Sequence, residues 1–243
     1  MLKNKMKSSH LTVSVILPSY NEAENIQEVI QRIASVLGEQ LFEIIVVDDD
    51  SPDETGKKAD GMHHPKVRVI RRIGEKGLAS AIARGVRESH GDAVVWLDCD
   101  LGIPPEIIPI LVEKLNTFDV VIGSRYVPGG GDPRPFLRRS LSRLLNLFAR
   151  MLFGSRVSDY TSGVAAVRRA VMDKVLWKDN GFGEYFAEFS WRCIQQRLRI
   201  VEVGLTYSLR KGGVSKSDGT FFILLKYGIQ YGLKMVKWRF TLR

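Results

Sequence analysis

Cysteine is scarce in this chain of 243 residues: Cys99 and Cys193 are the two, and they form no C-x-x-C pair. That usage supplies neither a disulfide framework nor a structural zinc site, and it fits a reducing, cytosolic setting. No uninterrupted apolar run approaches the roughly 20 residues that span a bilayer. The opening MLKNKMKSSH is basic with no apolar stretch behind it, so no signal peptide is expected. No G-x-G-x-x-G follows the first apolar run, which argues against dinucleotide binding. No aromatic-basic RNA motif is present, so no nucleic-acid partner is expected. Internal repeats and low-complexity linkers are missing too. The four histidines, His10, His63, His64 and His90, fall outside the motifs described below and read as surface residues.

What the chain has in excess is positive charge. Thirty-six Lys and Arg against 27 Asp and Glu leave +9, which suggests an anionic partner: a nucleotide, a lipid phosphate, a membrane surface or a nucleic acid. The acidic clusters DDDSPDE and DCD lie in the first half. Arginines thicken from Arg134 to Arg156, and Lys and Arg close the chain from Lys226 to Arg243. With 44% hydrophobic and 26% charged residues, the composition is that of a globular protein able to bury a full core.

Short apolar runs alternate with helical patterns. Thr12–Pro18, Phe42–Asp48, Lys66–Ile70, Ala93–Asp98 and Asp119–Ser124 read as strands, several of them apolar throughout, as strands covered on both faces are. Between them, about Glu24–Leu37, Asp53–Met62, Leu78–Ser89 and Pro105–Leu115 read as helices. This rhythm predicts an α/β fold with a mostly parallel sheet, strand C-termini along one edge and ligands bound there. The polar clusters PSYNEAEN, DDDSPDET, DCDLG and SRYVPGGG follow strands one, two, four and five, and so converge on that edge. Beyond them come a basic amphipathic helix over Phe136–Phe153, a strand-like GVAAVRR, a helix from about Tyr185 to Arg197, the strand RIVEVGLTYS, the loop RKGGVSKSDG and a last helix.

The sharpest feature is Asp98-Cys99-Asp100 at the mouth of an apolar run. In extended backbone residues i and i+2 share a side, so two like charges are forced together. That is unfavourable unless a cation or water separates them.

Eight motifs in order, ILPSYNE, VVDDDSPDET, GLASAIARG, WLDCDLGIPPE, VIGSRYVPGG, RRSLSRLLN, DYTSGVAAVRR and RKGGVSKSD, resemble glycosyltransferase family 2 enzymes of the GT-A fold, and within it the dolichyl- or polyprenyl-phosphate mannose synthases. The resemblance implies a catalytic domain over 1–219, with a donor half near 10–126 and an acceptor half near 127–219, followed by an amphipathic basic helix over 220–243. It implies transfer of a sugar, mannose from GDP-mannose, to a polyprenyl phosphate with inversion. The cofactor would be Mg²⁺ or Mn²⁺ on Asp98 and Asp100, since hard cations are often held by one or two carboxylates plus substrate phosphates. By the same resemblance Pro18, Tyr20, Glu22, Val47 and Asp49 form the nucleoside pocket and Cys99 lines it. Arg125 faces the donor phosphates or the acceptor, Arg138 and Ser142 bind the lipid phosphate, and Arg210 and Lys216 of a closing loop clamp the diphosphate. Asp159, Ser162 and Gly163 shape the acceptor mouth. Where the family has glutamine two residues after the second aspartate, this chain has Gly102, which supplies no side-chain ligand.

A phosphate acceptor is already anionic at neutral pH and needs no general base. A sugar hydroxyl would need one, and Glu184 and Glu188 are the candidates. An acceptor of that kind, another nucleotide sugar, and a non-enzymatic nucleotide-binding or membrane-scaffold subunit are the alternatives. Gln196 and Arg199 form a Q-x-x-R, but isoleucine follows where hydroxyl-transferring relatives have tryptophan. In the tail, Lys226, Gln230, Lys234 and Lys237 fall on one narrow helical strip beside a broad apolar arc. This predicts a helix lying in the membrane interface, and peripheral association with the cytoplasmic face. The resemblance also admits a small membrane-anchoring subunit as a partner.

Overall fold

The computed structural model describes residues 11–177, 183–208 and 221–242, with the backbone alone over 221–225. Seven strands form one sheet: β1 Val13–Ser19, β2 Leu41–Asp48, β3 Val67–Arg71, β4 Ala93–Trp96, β5 Val120–Ser124, β6 Ala165–Arg168 and β7 Ile200–Gly204. Their order is β3-β2-β1-β4-β6-β5-β7. All pairings are parallel except those of β6, which runs antiparallel between β4 and β5. Six strands therefore end at the same edge.

Alternation along each strand sends side chains to two separate layers. Val13, Val15 and Leu17 of β1 pack with Ile44 and Val46 of β2 and with Ile26, Val29, Ile30 and Ile33 of α1 (Ile26–Leu37). Ile16, Ile45, Val47, Val94 and Trp96 point the other way, onto α3 (Leu78–Glu88). Both faces are covered, which is why these strands carry no polar alternation. On the Trp96 side lie α6 (Arg169–Val175) and α7 (Tyr185–Gln195), and Trp96, Trp177, Phe186 and Phe189 form an aromatic cluster there.

Two boundaries differ from expectation. β4 stops at Trp96, so Asp98 and Asp100 stand on a turn beyond the strand, not on it. Pro104-Pro105 opens a 3-10 turn, Pro105–Ile107, before α4 (Ile108–Lys114). The short helices α2 (Thr55–Asp60) and α6 also differ from the pattern, the first by being shorter and the second by not being anticipated. α5 spans Phe136–Phe153, as expected.

The last helix, α8 (Phe221–Thr241), is built into the body. Met235 is fully buried in the Trp96-side core, and Tyr231 and Trp238 pack against it. Arg239 lies 5.4 Å over the Trp191 ring and donates to the Leu152 carbonyl at 3.0 Å. Gln195 donates to the Leu242 carbonyl at 2.7 Å. Lys234, expected on the basic strip facing a membrane interface, ion-pairs with Glu184 of the loop entering α7. Among the described residues no helix is long and apolar enough to cross a membrane.

Candidate functional site

At the C-terminal edge of the sheet lies a cavity of about 1100 Å³. Pro18, Tyr20, Glu22, Asp49, Asp98, Cys99, Asp100, Arg125, Arg138, Ser142, Ser162 and Gly163 all line it. The strands reach it through tight reversals in which non-glycine residues take left-handed conformations: Asn21 (φ 57°) after β1, Asp50 (φ 57°) after β2 and Leu101 (φ 58°) after β4. Such backbone is costly and persists where surrounding structure over-determines it. Of the residues expected in the nucleoside pocket, Val47 stays away. It is fully buried in the core with Ile16 and α3, because it lies on the opposite side of β2 from Val46 and one residue short of the edge.

At the expected nucleoside end, Asp49 is buried and fixed from two sides. Its Oδ1 accepts from Arg72 Nε at 2.7 Å, and its Oδ2 accepts from the backbone N–H of Gly77 at 2.8 Å. Gly77 has φ 147°, a conformation open to glycine but strained for residues with a Cβ. Arg72 also holds the Gly77 carbonyl and Ser80. The ammonium of Lys76 sits 4.6 Å over the Tyr20 ring and donates to its hydroxyl at 3.1 Å. Glu22 accepts from Asn25 Nδ2, and Thr55 Oγ1 accepts from the Glu22 N–H.

The turn after β4 separates its three residues. Cys99 is buried, its thiol 3.4 Å from the Pro18 carbonyl. Burial, with the charges of Glu22, Asp98 and Asp100, holds that thiol well above its ordinary pKa, so it stays protonated. Asp98 and Asp100 are half-buried and line the cavity. Asp100 Oδ1 accepts from the N–H of Gly102 at 2.9 Å, and a Cβ on Gly102 would come 2.9 Å from that same oxygen. Glycine at 102 thus brings its amide close to the carboxylate, in place of a side-chain ligand. Its carbonyl accepts from the Ser208 N–H at 2.8 Å, joining the turn to the end of the β7 segment. Among the described residues there is no cluster of three or more metal-ligating side chains. Two carboxylates facing a cavity fit a hard cation that takes its remaining oxygen ligands from substrate and water.

On the expected acceptor side, Tyr126 donates to Ser142 Oγ at 2.9 Å, which leaves the serine hydroxyl hydrogen for another acceptor. Arg125 lines the cavity, but its guanidinium is committed: Nε and Nη2 donate to Asp159 at 2.8 and 2.6 Å, and Nη2 also reaches Thr161. Burial pulls its pKa down, but the Asp159 charge and hydrogen bonds outweigh this and raise it. Asp159, expected at the acceptor mouth, is itself fully buried and does not line the cavity; it bonds Arg125, which does. Neither glutamate considered as a base stands clear of cations: Glu184 pairs with Lys234 and Glu188 with Arg192 at 2.7 Å. Arg210 and Lys216 lie outside the described residues.

Four tyrosines that the sequence did not flag, Tyr185, Tyr207, Tyr227 and Tyr231, also line the cavity, as do Lys76 and Arg134. Tyr227 and Tyr231 belong to α8, so the C-terminal helix forms part of the site wall. No local motif marks a tyrosine as a wall residue. Gly77, whose N–H supports Asp49, is the first residue of GLASAIARG, but nothing local links it to a carboxylate 28 residues earlier.

Comparison with known proteins agrees with this architecture. The family model described as Glycosyl transferase family 2 matches residues 14–176. A dolichol-phosphate mannosyltransferase of Pyrococcus furiosus is 41% identical over 223 residues, covering 89% of this chain, which spans 62% of that protein's length. A polyprenol monophosphomannose synthase of Mycolicibacterium smegmatis is 34% identical over 232 residues, covering 89% of this chain and 86% of the relative. Among solved structures, glucosyl-3-phosphoglycerate synthase from Mycobacterium tuberculosis, crystallised with Mn²⁺, UDP and phosphoglyceric acid, superposes with a TM-score of 0.71. It is 23% identical and covers 96% of this chain and 80% of its own, a likeness of fold. Sheet, cavity and sequence similarity lead to one conclusion: the chain belongs to glycosyl transferase family 2.

Proposed function

We propose that this chain transfers mannose from GDP-mannose to a polyprenyl phosphate such as dolichyl phosphate, with inversion at the anomeric carbon. The observation that carries the proposal is that Asp98 and Asp100, from the turn after β4, and Arg138 and Ser142, from α5, line one cavity. The names of the Pyrococcus and Mycolicibacterium relatives support the substrate classes. Asp49, Tyr20 and Glu22 bind the nucleoside, and Asp49 is held in place for this by Arg72 and Gly77. Asp98 and Asp100 would hold Mg²⁺ or Mn²⁺, which when bound stabilises the charge developing on the departing diphosphate. Arg138 and Ser142 hold the acceptor phosphate, whose anionic oxygen forms the new bond to the anomeric carbon as the bond to GDP breaks. With a second pKa near 6, that phosphate needs no proton removed. The ion-paired states of Glu184 and Glu188 are consistent with a reaction that uses no carboxylate base.

The acceptor's apolar tail lies in a bilayer, and the surface of the α5–α8 pair suits that setting. Phe136, Leu137, Leu144, Leu147 and Met151 of α5 are exposed, as are Tyr227, Ile229, Leu233, Val236 and Phe240 of α8. Apolar exposure on this scale marks an interaction surface. The chain accordingly docks peripherally on the cytoplasmic face of a membrane through both helices, with α8 both wall and anchor.

The test is to incubate the chain with a panel of labelled nucleotide sugars and polyprenyl phosphate, with and without divalent metal. Metal-dependent formation of an inverted mannosyl-phosphoryl lipid is the expected result. Transfer to a sugar hydroxyl, or no turnover with any donor, would overturn the proposal.

A further inference from the structure

A second cavity, of about 470 Å³, opens beside α5. We infer that it binds the phosphate of an anionic membrane phospholipid through Arg143 and Arg150. The inference rests on the membrane-facing reading of α5 and α8 given above.

The helix itself separates the two cavities. Arg138, Leu141, Ser142 and Leu145 face the large cavity, whereas Arg143, Asn146, Leu147 and Arg150 face the small one. Each residue of the second set stands five positions after one of the first, which at about 100° per residue turns it by roughly 140°. The small cavity is thus a distinct place on the helix.

Its polar lining leaves a simple charge pattern. Arg125 reaches it but is neutralised by Asp159. Asn146 is fully used: Nδ2 donates to the Ser142 carbonyl and to Thr161 Oγ1, and Oδ1 accepts from the Tyr160 N–H. Glu202, behind Ser158, accepts from the backbone N–H groups of Ser158 and Asp159. Arg143 and Arg150 remain, both exposed, with no carboxylate lining the cavity beside them. Two like charges around one concavity focus positive potential. Seven residues span about 10.5 Å of helix, a distance two arginine side chains can close from either end onto one phosphodiester. The guanidinium fork is suited to phosphate oxygens.

The rim decides for a lipid over free phosphate. Leu144, Leu147 and Met151 are exposed along the same stretch of α5 as the arginines, and Leu147 lines the cavity. A free anion gains nothing from that apolar edge. A phospholipid places its headgroup among the arginines and its acyl chains against the leucines.

The experiment is sedimentation of the full chain with vesicles of phosphatidylcholine alone and of phosphatidylcholine with phosphatidylglycerol. It compares wild type, the pair Arg143→Gln with Arg150→Gln, and a control pair removing equal charge from α8, Lys226→Gln with Lys237→Gln. Wild type should prefer the anionic vesicles by roughly tenfold or more, as two basic contacts near an anionic surface imply. The α5 pair should lose most of that preference and keep its binding to neutral vesicles, and the α8 pair should lose much less. Equal losses in the two pairs would reduce the effect to diffuse charge and overturn the site. Wild type binding both vesicles equally would also overturn it, while leaving the membrane-facing surface standing. Binding to neither vesicle removes both readings. Displacement from anionic vesicles by low-millimolar inorganic phosphate at constant ionic strength would assign the cleft to free phosphate and overturn the lipid.

Discussion

Arg125 and Asp159 form a buried two-point ion pair, at 2.8 and 2.6 Å, in the wall of the large cavity. The two side chains are 2% and 0% exposed. Tyr126 and Tyr207 lie at 5.1 and 5.0 Å from the guanidinium. Asp159 Oδ2 also accepts from the Arg125 N–H at 3.0 Å, so one carboxylate ties the end of β5 to the segment preceding β6. Breaking such a pair from one side strands a charge in a dry place. Asp159→Asn should therefore cost about 3 kcal/mol of stability, measured by urea unfolding. Replacing both partners with leucine should recover much of it. A single variant as stable as wild type would mean the pair is not the strut described here.

Asp100→Ala should abolish transfer, and Asp98→Ala should lower it on the order of 10³-fold, since several kcal/mol of charge stabilisation are lost. Both variants should still unfold in one cooperative transition, since relief of like-charge repulsion works against the loss of the Gly102 N–H bond to Asp100. EDTA should silence the wild type, with activity returning on adding Mg²⁺ or Mn²⁺. Full activity in EDTA would remove the metal from the mechanism.

Arg138→Ala should raise the apparent KM for polyprenyl phosphate by about 10- to 100-fold, the value of one charge-assisted hydrogen bond, and leave donor affinity unchanged. Steady-state kinetics in both substrates reads this directly. A parallel loss of donor affinity would move Arg138 from the acceptor to the donor.

Met235→Ala should destabilise the whole domain by about 2–5 kcal/mol, the cost of a cavity at a fully buried methionine. The measurement is a single cooperative denaturation curve with a lowered midpoint. If α8 were only an appended anchor, the midpoint would not move.

The acid limb of stability should depend on Asp53. Burial raises its pKa, but hydrogen bonds from Thr55 and Ala23 outweigh this and hold it below the ordinary 3.8. A depressed carboxylate contributes its stability above the unfolded pKa and loses it as pH falls through the folded one. Melting between pH 7 and 5 should therefore be indifferent to this group, with its contribution fading below about 3.8. Asp53→Asn should lower stability at pH 7 and flatten that fade.

Much of the site was legible because it sits where strands end. PSYNE, DDDSPDE and DCD each follow a run of strand residues, and parallel strands with right-handed crossovers must bring those ends together. Val47 illustrates the limit: one residue from the edge, it has the identity of a pocket residue or a core residue alike, and only the pleat sends it into the α3 layer. Arg125 is similar. Its place after β5 was legible, but its partner Asp159 is 34 residues away, and nothing local joins them.

The sequence by itself determined the α/β alternation, the edge where the polar loops gather and the amphipathic span of α5, because period and chain order are local properties. Tertiary structure alone decided the rest. It inserted β6 antiparallel between β4 and β5, a choice set by which strands pair, not by any one strand's composition. It also paired Lys234 with Glu184 and buried Met235, making the final helix a wall of the cavity. A helix with a wide apolar arc will cover whatever apolar surface lies within reach. Here α5 and α7 offered that surface, and the fold had to form before they could.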